Sequence, residues 1–208
     1  VVTALYEHAS ELQIELGCPK DKIEITPNGI DLSRFVNLPG KLPGEENDIN
    51  IGAVVRVTPI KEIKTMIRAF AFAKKEVPNL KLWIMGPTDE DSEYARECFE
   101  LVDVMEIKDV KFTGRVNVTD YLGRMDFTIL TSISEGQPLT ILESYAAKKP
   151  VIATDVGDCR ELIYGDLFDN LGAAGILCHI MNVEEIARAM IELALSEDKR
   201  LKMGEIGY

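Results

Sequence analysis

The feature that most constrains this sequence is the alternation of short, mainly apolar runs with segments of helical pattern. NIGAVVRV (50–57), LKLWIM (80–85), VKFTG (110–114), DFTILTS (126–132), PVIAT (150–154) and GILC (175–178) each read as a strand. Residues 61–76, 89–105, 117–124, 136–149, 159–164 and 183–195 read as the helices that follow, with a further fragment at 197–204. The strands are short apolar runs rather than alternating ones, the pattern of a parallel sheet buried on both faces. Repeated strand–helix units imply right-handed crossovers, so the expected class is α/β, a doubly wound, Rossmann-like parallel sheet over the whole span 1–208. Upstream, residues 4–17 read as an amphipathic helix closed by Gly17 and Pro19, and 22–25 as a short strand. Asn28-Gly29 reads as a turn tolerant of positive φ, and 36–49 as a surface loop.

Ligands of such sheets bind beyond the carboxyl ends of the strands. The candidates are therefore Asn28-Gly29, Arg56, Gly86-Pro87, Gly114-Arg115, Ser134 to Pro138 and Asp155 to Asp158.

Composition narrows what such a site takes. The formal net charge is −12, from 35 acidic and 23 basic residues. Nucleic acid and anionic membrane surfaces are poor partners for that balance, and a phosphate ligand needs a local source of positive potential. The four cysteines are scattered with no CxxC pair, which fits reduced thiols and a cytoplasmic protein better than a disulfide framework or zinc site. The opening segment has neither a basic n-region nor a small-residue cleavage site, so no signal peptide is expected.

SISEGQPLTILE (132–143) could supply that local potential. Pro138 suits a first helical turn, and the free N–H groups of Gly136, Gln137 and Leu139, with the helix dipole, would make a backbone anion site. Gly136 lets a ligand approach the backbone closely. Glu135 and Glu143 flank the turn; if helical geometry held throughout, they would lie roughly 12 Å apart along the axis, suited to hydroxyl pairs at two ends of one extended ligand. Taken singly, Glu135 could instead complement a helix N-terminus and Glu143 could be a solvated helix residue. Arg56 follows a strand and Lys61 opens the next helix, so together they could clamp a diphosphate. Gly86 and the turn Gly114-Arg115-Val116 could accommodate a base, though any α/β protein has such turns. His8 and His179 have no nucleophile beside them. No GxGxxG, GxxxxGK[ST] or GxSxG occurs, which argues against NAD binding, P-loop chemistry and α/β-hydrolase chemistry.

These residues, taken in order, resemble a known pattern. Glu135 and Glu143 resemble the E-x7-E motif of retaining GT-B glycosyltransferases of family 4, and Arg56 with Lys61 resembles its R-x4-K pair. Asn28-Gly29-Ile30-Asp31, Gly86, the FTG turn at 112–114 and ATDVGDCREL (153–162) fall in the family's order. The wording of SISEGQPLTILE and DVGDCREL is most similar to the PelF-like glycosyltransferases of exopolysaccharide synthesis. Asp158 departs from the pattern, standing where the family often has a second glycine, and ILCHIMN lacks its frequent proline-rich turn.

The resemblance implies the donor half of a hexosyltransferase, with a UDP-sugar, UDP-glucose foremost, as substrate and neither metal nor other cofactor. Arg56 and Lys61 would hold the diphosphate, Glu135 the sugar hydroxyls and Glu143 the ribose. Gly136, Gln137, Pro138, Leu139 and Thr140 would line sugar and phosphate, with Gly86, Gly114, Arg115 and Val116 near the nucleoside. It also implies an N-terminal acceptor domain outside this sequence, a glycan acceptor, and in the exopolysaccharide setting a membrane-associated synthesis complex. A GDP- or ADP-sugar donor, a non-catalytic nucleotide-sugar-binding module and, more distantly, a pyridoxal-phosphate-dependent phosphorylase remain open alternatives.

Overall fold

The computed structural model describes residues 1–165 and 171–208. The chain opens with a small parallel pair, β1 (Val2–Ala4) and β2 (Ile23–Ile25), connected through α1 (Glu7–Glu15). The main sheet follows: β3 (Ile49–Val54), β4 (Leu80–Met85), β5 (Val110–Gly114), β6 (Phe127–Leu130), β7 (Val151–Thr154) and β8 (Gly175–Cys178). The crossover helices are α2 (Ile63–Glu76), α3 (Ser92–Val104), α4 (Thr119–Leu122), α5 (Leu139–Ala146) and α6 (Cys159–Tyr164); α7 (Val183–Leu195) and α8 (Glu197–Gly207) follow β8.

All pairings in the six-stranded sheet are parallel, in the order β5-β4-β3-β6-β7-β8. The chain runs outward from β3 to β5, then returns to the other side of β3 and runs outward again. The winding therefore reverses between β3 and β6, and a crevice opens beyond their carboxyl ends.

Burial on both faces explains the unbroken apolar strands. In β4, Leu80, Leu82 and Ile84 join a core cluster with Met66, Ile67 and Phe70 of α2. Trp83 and Met85, on the opposite face, join a second cluster with Phe35, Leu122 and Met125. Helix α2 buries Ile63, Met66, Ile67, Phe70 and Ala73, one stripe of a 3.6-residue repeat. It stops before Pro78, whose ring disfavours helical backbone at the preceding Val77.

The α/β, doubly wound expectation holds, and β4, β5 and α7 lie where the sequence puts them. Four local expectations do not. The first helix spans Glu7–Glu15 rather than 4–17, after a strand at Val2–Ala4, and α1, far from burying an apolar face, buries only Ser10. Gly29 does not take positive φ, nor does Asn28. Lys61 ends a 3-10 turn, and left-handed Glu62 (φ 49°) separates it from α2. Helix α5 starts at Leu139 rather than 136, because Pro138 is extended (ψ 116°). The helical spacing argument for Glu135 and Glu143 therefore fails: Glu135 lies in the loop before the helix.

Candidate functional site

The crevice is built by two loops that bond to each other. After β3, the chain remains zipped to the tail of β4: Val55 N–H donates to Met85 O (3.0 Å) and Val57 N–H to Pro87 O (2.9 Å). Gly86 permits this, since a Cβ there would stand 2.0 Å from Val55 O. Gly86 thus has a packing reason to be glycine, and Arg56 is held between the two strand ends. The loop after β6 ties to the Lys61 turn: Ile133 N–H donates to Ile60 O (2.9 Å), and Thr131 Oγ1 donates to Lys61 O (2.9 Å).

Those tethers bring Lys61 and Glu135 together across 74 residues of sequence. Lys61 Nζ donates to Glu135 Oε1 at 2.5 Å, and Ser132 Oγ donates to the same oxygen at 2.6 Å. The two charged side chains are 15% and 12% exposed, so this pair is largely withdrawn from water. Residues expected to touch different parts of a ligand satisfy each other in the free chain.

Arg56 is also partnered, but at the surface. Its Nη1 donates to Glu90 Oε2 at 3.0 Å, and the other Glu90 oxygen lies 4.0 Å from Arg115 Nη2. A carboxylate flanked by two guanidiniums stands where an anion would be welcome. Glu90 had no signal in the sequence: the acidic stretch Asp89-Glu90-Asp91 reads as the start of the helix 89–105, whereas α3 begins only at Ser92 and leaves Glu90 in the loop before it.

The loop 135–137 is braced from both sides. Asn28 N–H donates to Gln137 Oε1 (2.5 Å), and Asn28 Nδ2 donates to Gln137 O (2.9 Å). Gln137 Nε2 donates to Asp158 Oδ2 (2.6 Å), and Asp158 N–H donates to Gly136 O (2.9 Å). Gly157, at φ 53°, lets the β7–α6 loop come this close: a Cβ there would lie 2.3 Å from the carbonyl oxygens of both Glu135 and Gly136. Gly136 itself is not sterically compelled, since its Cβ would meet only Leu5 at 3.6 Å. The N–H groups of Gly136, Gln137 and Leu139 make no backbone hydrogen bond among the described residues, so they remain available at the start of α5.

The other expected residues divide. Glu143, on α5, is half-buried, and its carboxylate accepts no hydrogen bond from the described residues; burial raises its pKa, and Arg34 partly offsets this. Thr140 stands one residue into α5, and its carbonyl accepts from Ser144 Oγ (2.7 Å). Pro138 is buried, whereas Leu139 is 46% exposed. Gly114 and Arg115 lie at the sheet's β5 edge, and Val116 packs against the second core cluster. Along the carboxyl edge the order is Arg115, Gly86, Arg56 with Lys61, then Glu135, following β5, β4, β3 and β6.

Comparison with known proteins identifies the family and the fold. The family described as "Glycosyl transferases group 1" matches residues 48–196. The alpha-monoglucosyldiacylglycerol synthase of Streptococcus pneumoniae is 32% identical over 168 residues, 73% of this chain and 37% of that relative. The putative colanic acid biosynthesis glycosyltransferase WcaL of Escherichia coli is 29% identical over 166 residues, covering 76% of this chain and 40% of its own length. The chain thus spans about two fifths of the length of these relatives. Among solved structures, Anabaena HepE in complex with UDP superposes with a TM-score of 0.85 at 20% identity, covering 100% of this chain and 57% of that one.

Proposed function

This chain belongs to the glycosyl transferases group 1 family, and on that premise we propose that its crevice binds the donor of a sugar transfer, a UDP-sugar with UDP-glucose foremost. The carrying observation is the convergence of Lys61, Glu135 and Ser132 at the point where the winding reverses, beside Arg56. Three strand steps of about 4.8 Å separate the ends of β5 and β6 by roughly 14 Å, enough for an extended nucleoside diphosphate sugar. The nucleoside lies toward Gly114-Arg115-Val116, the diphosphate at Arg56 and Lys61, and the sugar at Glu135. The free N–H groups at the start of α5 add the positive potential that a chain of net charge −12 otherwise lacks. A solved relative of the same fold holds UDP, which supports the choice of base.

In this reading the protein's cations do the main chemical work. As the bond from anomeric carbon to diphosphate breaks, charge grows on the leaving phosphate, and Arg56 and Lys61 stabilise it without a metal. Glu135 orients sugar hydroxyls as an acceptor through Oε2, since Oε1 already carries both Lys61 and Ser132. Glu143, with unused acceptor capacity, takes the ribose hydroxyls. Transfer with retention, a glycan acceptor bound by a further domain, an exopolysaccharide product and a cytoplasmic site of action complete the proposal.

The test is thermal unfolding with UDP, UDP-glucose, GDP and ADP. Ligand at 100 times its dissociation constant stabilises by about 2.7 kcal/mol. A shift selective for UDP compounds and lost in Lys61→Ala supports the reading; a folded chain indifferent to all four overturns it.

A further inference from the structure

Directly after β6 the chain places two buried hydroxyls side by side, Thr131 at 1% exposure and Ser132 at 0%. A strand end packed this deeply would be served by apolar residues, and a buried hydroxyl is kept at a cost unless it finds a partner. Ser132 finds Glu135 Oε1, and its own carbonyl is held at 2.6 Å by Thr154 Oγ1, a third buried hydroxyl at the end of β7. Thr131 reaches the other way: its proton is shared between Lys61 O (2.9 Å) and Glu62 O (3.2 Å). Neighbouring residues therefore hold the two halves of one ion pair. Ser132 grips the Glu135 carboxylate, and Thr131 grips the backbone of Lys61.

The backbone so held is strained. Glu62 is left-handed (φ 49°, ψ 46°), a conformation that a residue with a Cβ adopts only where its surroundings compel it. Glu62 N–H donates to Pro59 O (3.0 Å), Thr65 Oγ1 donates to the Glu62 carboxylate, and Thr131 clamps the two carbonyls. Because the turn separates Lys61 from α2, the Lys61 side chain leaves toward the β6 loop, where its ammonium meets Glu135. Thr131 is the side-chain restraint on this turn that comes from the neighbouring strand. A lysine ammonium is a compact charge on a flexible stem, aimed only as well as its backbone is fixed.

We propose that Thr131 is a positioning residue for the donor diphosphate: its hydroxyl, acting on the carbonyls of Lys61 and Glu62, sets the turn that presents the Lys61 ammonium. Almost wholly buried, Thr131 acts through Lys61 and not on the ligand. The part played by the diphosphate rests on the donor reading above; the placing of Lys61 against Glu135 does not. Without the hydroxyl the left-handed turn is free to relax, and the ammonium loses its fixed bearing.

The experiment compares Thr131→Val, which keeps the side chain's shape and removes the hydroxyl, with Thr131→Ser, which keeps the hydroxyl. Its first arm needs no ligand. Melting curves of the parent, Lys61→Met, Glu135→Gln and their double variant give the Lys61–Glu135 coupling, and the same four in the Thr131→Val background give it again. The coupling is expected to fall to roughly half or less, which general destabilisation does not imitate because it lowers all four members alike. The second arm titrates UDP and uridine, which lacks the phosphates, by amide-resolved NMR. Thr131→Val should weaken UDP about fivefold, the worth of one ordinary hydrogen bond, and leave uridine unchanged. Thr131→Ser should recover both the coupling and the UDP affinity. An undiminished coupling, UDP affinity equal to the parent's, equal losses for UDP and uridine, or a Thr131→Ser variant no better than Thr131→Val overturns the proposal. A parent chain that binds no UDP sinks the donor reading, and the ligand-free arm then decides the placing of Lys61 by itself. UDP bound normally by Thr131→Val sinks the positioning role and spares the donor site.

Discussion

Replacing Lys61 by Met separates the part Lys61 plays in the fold from the part it plays in ligand binding. The substitution keeps most of the side chain's apolar stem and removes the ammonium that lies 2.5 Å from Glu135 Oε1. Glu135, only 12% exposed, is left with Ser132 as its remaining donor. Stripping a fully buried ion of its partner costs about 3–5 kcal/mol, and an exposed pair contributes below about 1. Partial exposure and the surviving Ser132 bond place this case between, at about 1–2 kcal/mol. For a chain of this size each kcal/mol moves the midpoint by about 2–4 °C, so Lys61→Met should melt roughly 2–8 °C lower. Adding Glu135→Gln removes the stranded charge and keeps an oxygen for Ser132, so the double variant should regain most of the loss, a coupling of about 1 kcal/mol. UDP stabilisation should not return with it. Unfolding can be followed by the emission of Trp83, the sole tryptophan and buried. If Lys61→Met melts with the parent chain, the ion pair does not exist in solution. If the double variant binds UDP as tightly as the parent, Lys61 does not hold the diphosphate.

Three further outcomes follow from the same geometry. Glu143→Gln should stabilise the chain at neutral pH and not below pH 4: the folded pKa is raised, so ionisation penalises the fold as pH climbs above the ordinary glutamate value, and the amide escapes that penalty. Denaturant midpoints against pH measure this, and a gain that persists in acid contradicts it. Gly157→Ala forces a Cβ to within 2.3 Å of the Glu135 and Gly136 carbonyls, so it should destabilise by about 1–3 kcal/mol and weaken UDP binding together, seen in paired melting and titration. Glu90→Gln frees Arg56 from a half-exposed ion pair worth at most about 1 kcal/mol, so calorimetry should show UDP bound up to about fivefold more tightly; weaker binding would mean that Glu90 helps to hold the ligand.

The parts of the fold that were legible from sequence are those decided locally. β4 and β5 end where Gly86-Pro87 and Gly114 interrupt the apolar run, and α2 ends where Pro78 forbids another turn. The parts missed are decided by contacts distant in sequence. Residues 135–137 do not join α5 because Gln137 is bonded to Asn28 and Asp158, partners 109 and 21 residues away. Residues 2–4 are a strand because 23–25 offers them a parallel edge. Candidate residues could be named because charge, turn and order along the strands are local properties, but their state in the free chain could not. Lys61 is satisfied by Glu135, and Arg56 by Glu90, each across at least 34 residues. Ligand binding at this edge is therefore an exchange of partners: each new contact to a phosphate or hydroxyl replaces one the chain already makes. Affinity should fall below what a count of donor contacts suggests, because desolvation and the broken internal pairs are subtracted from it. It should also depend on which internal partner is deleted: freeing Arg56 from an exposed acid favours the ligand, whereas stranding Glu135 by removing Lys61 harms both fold and site.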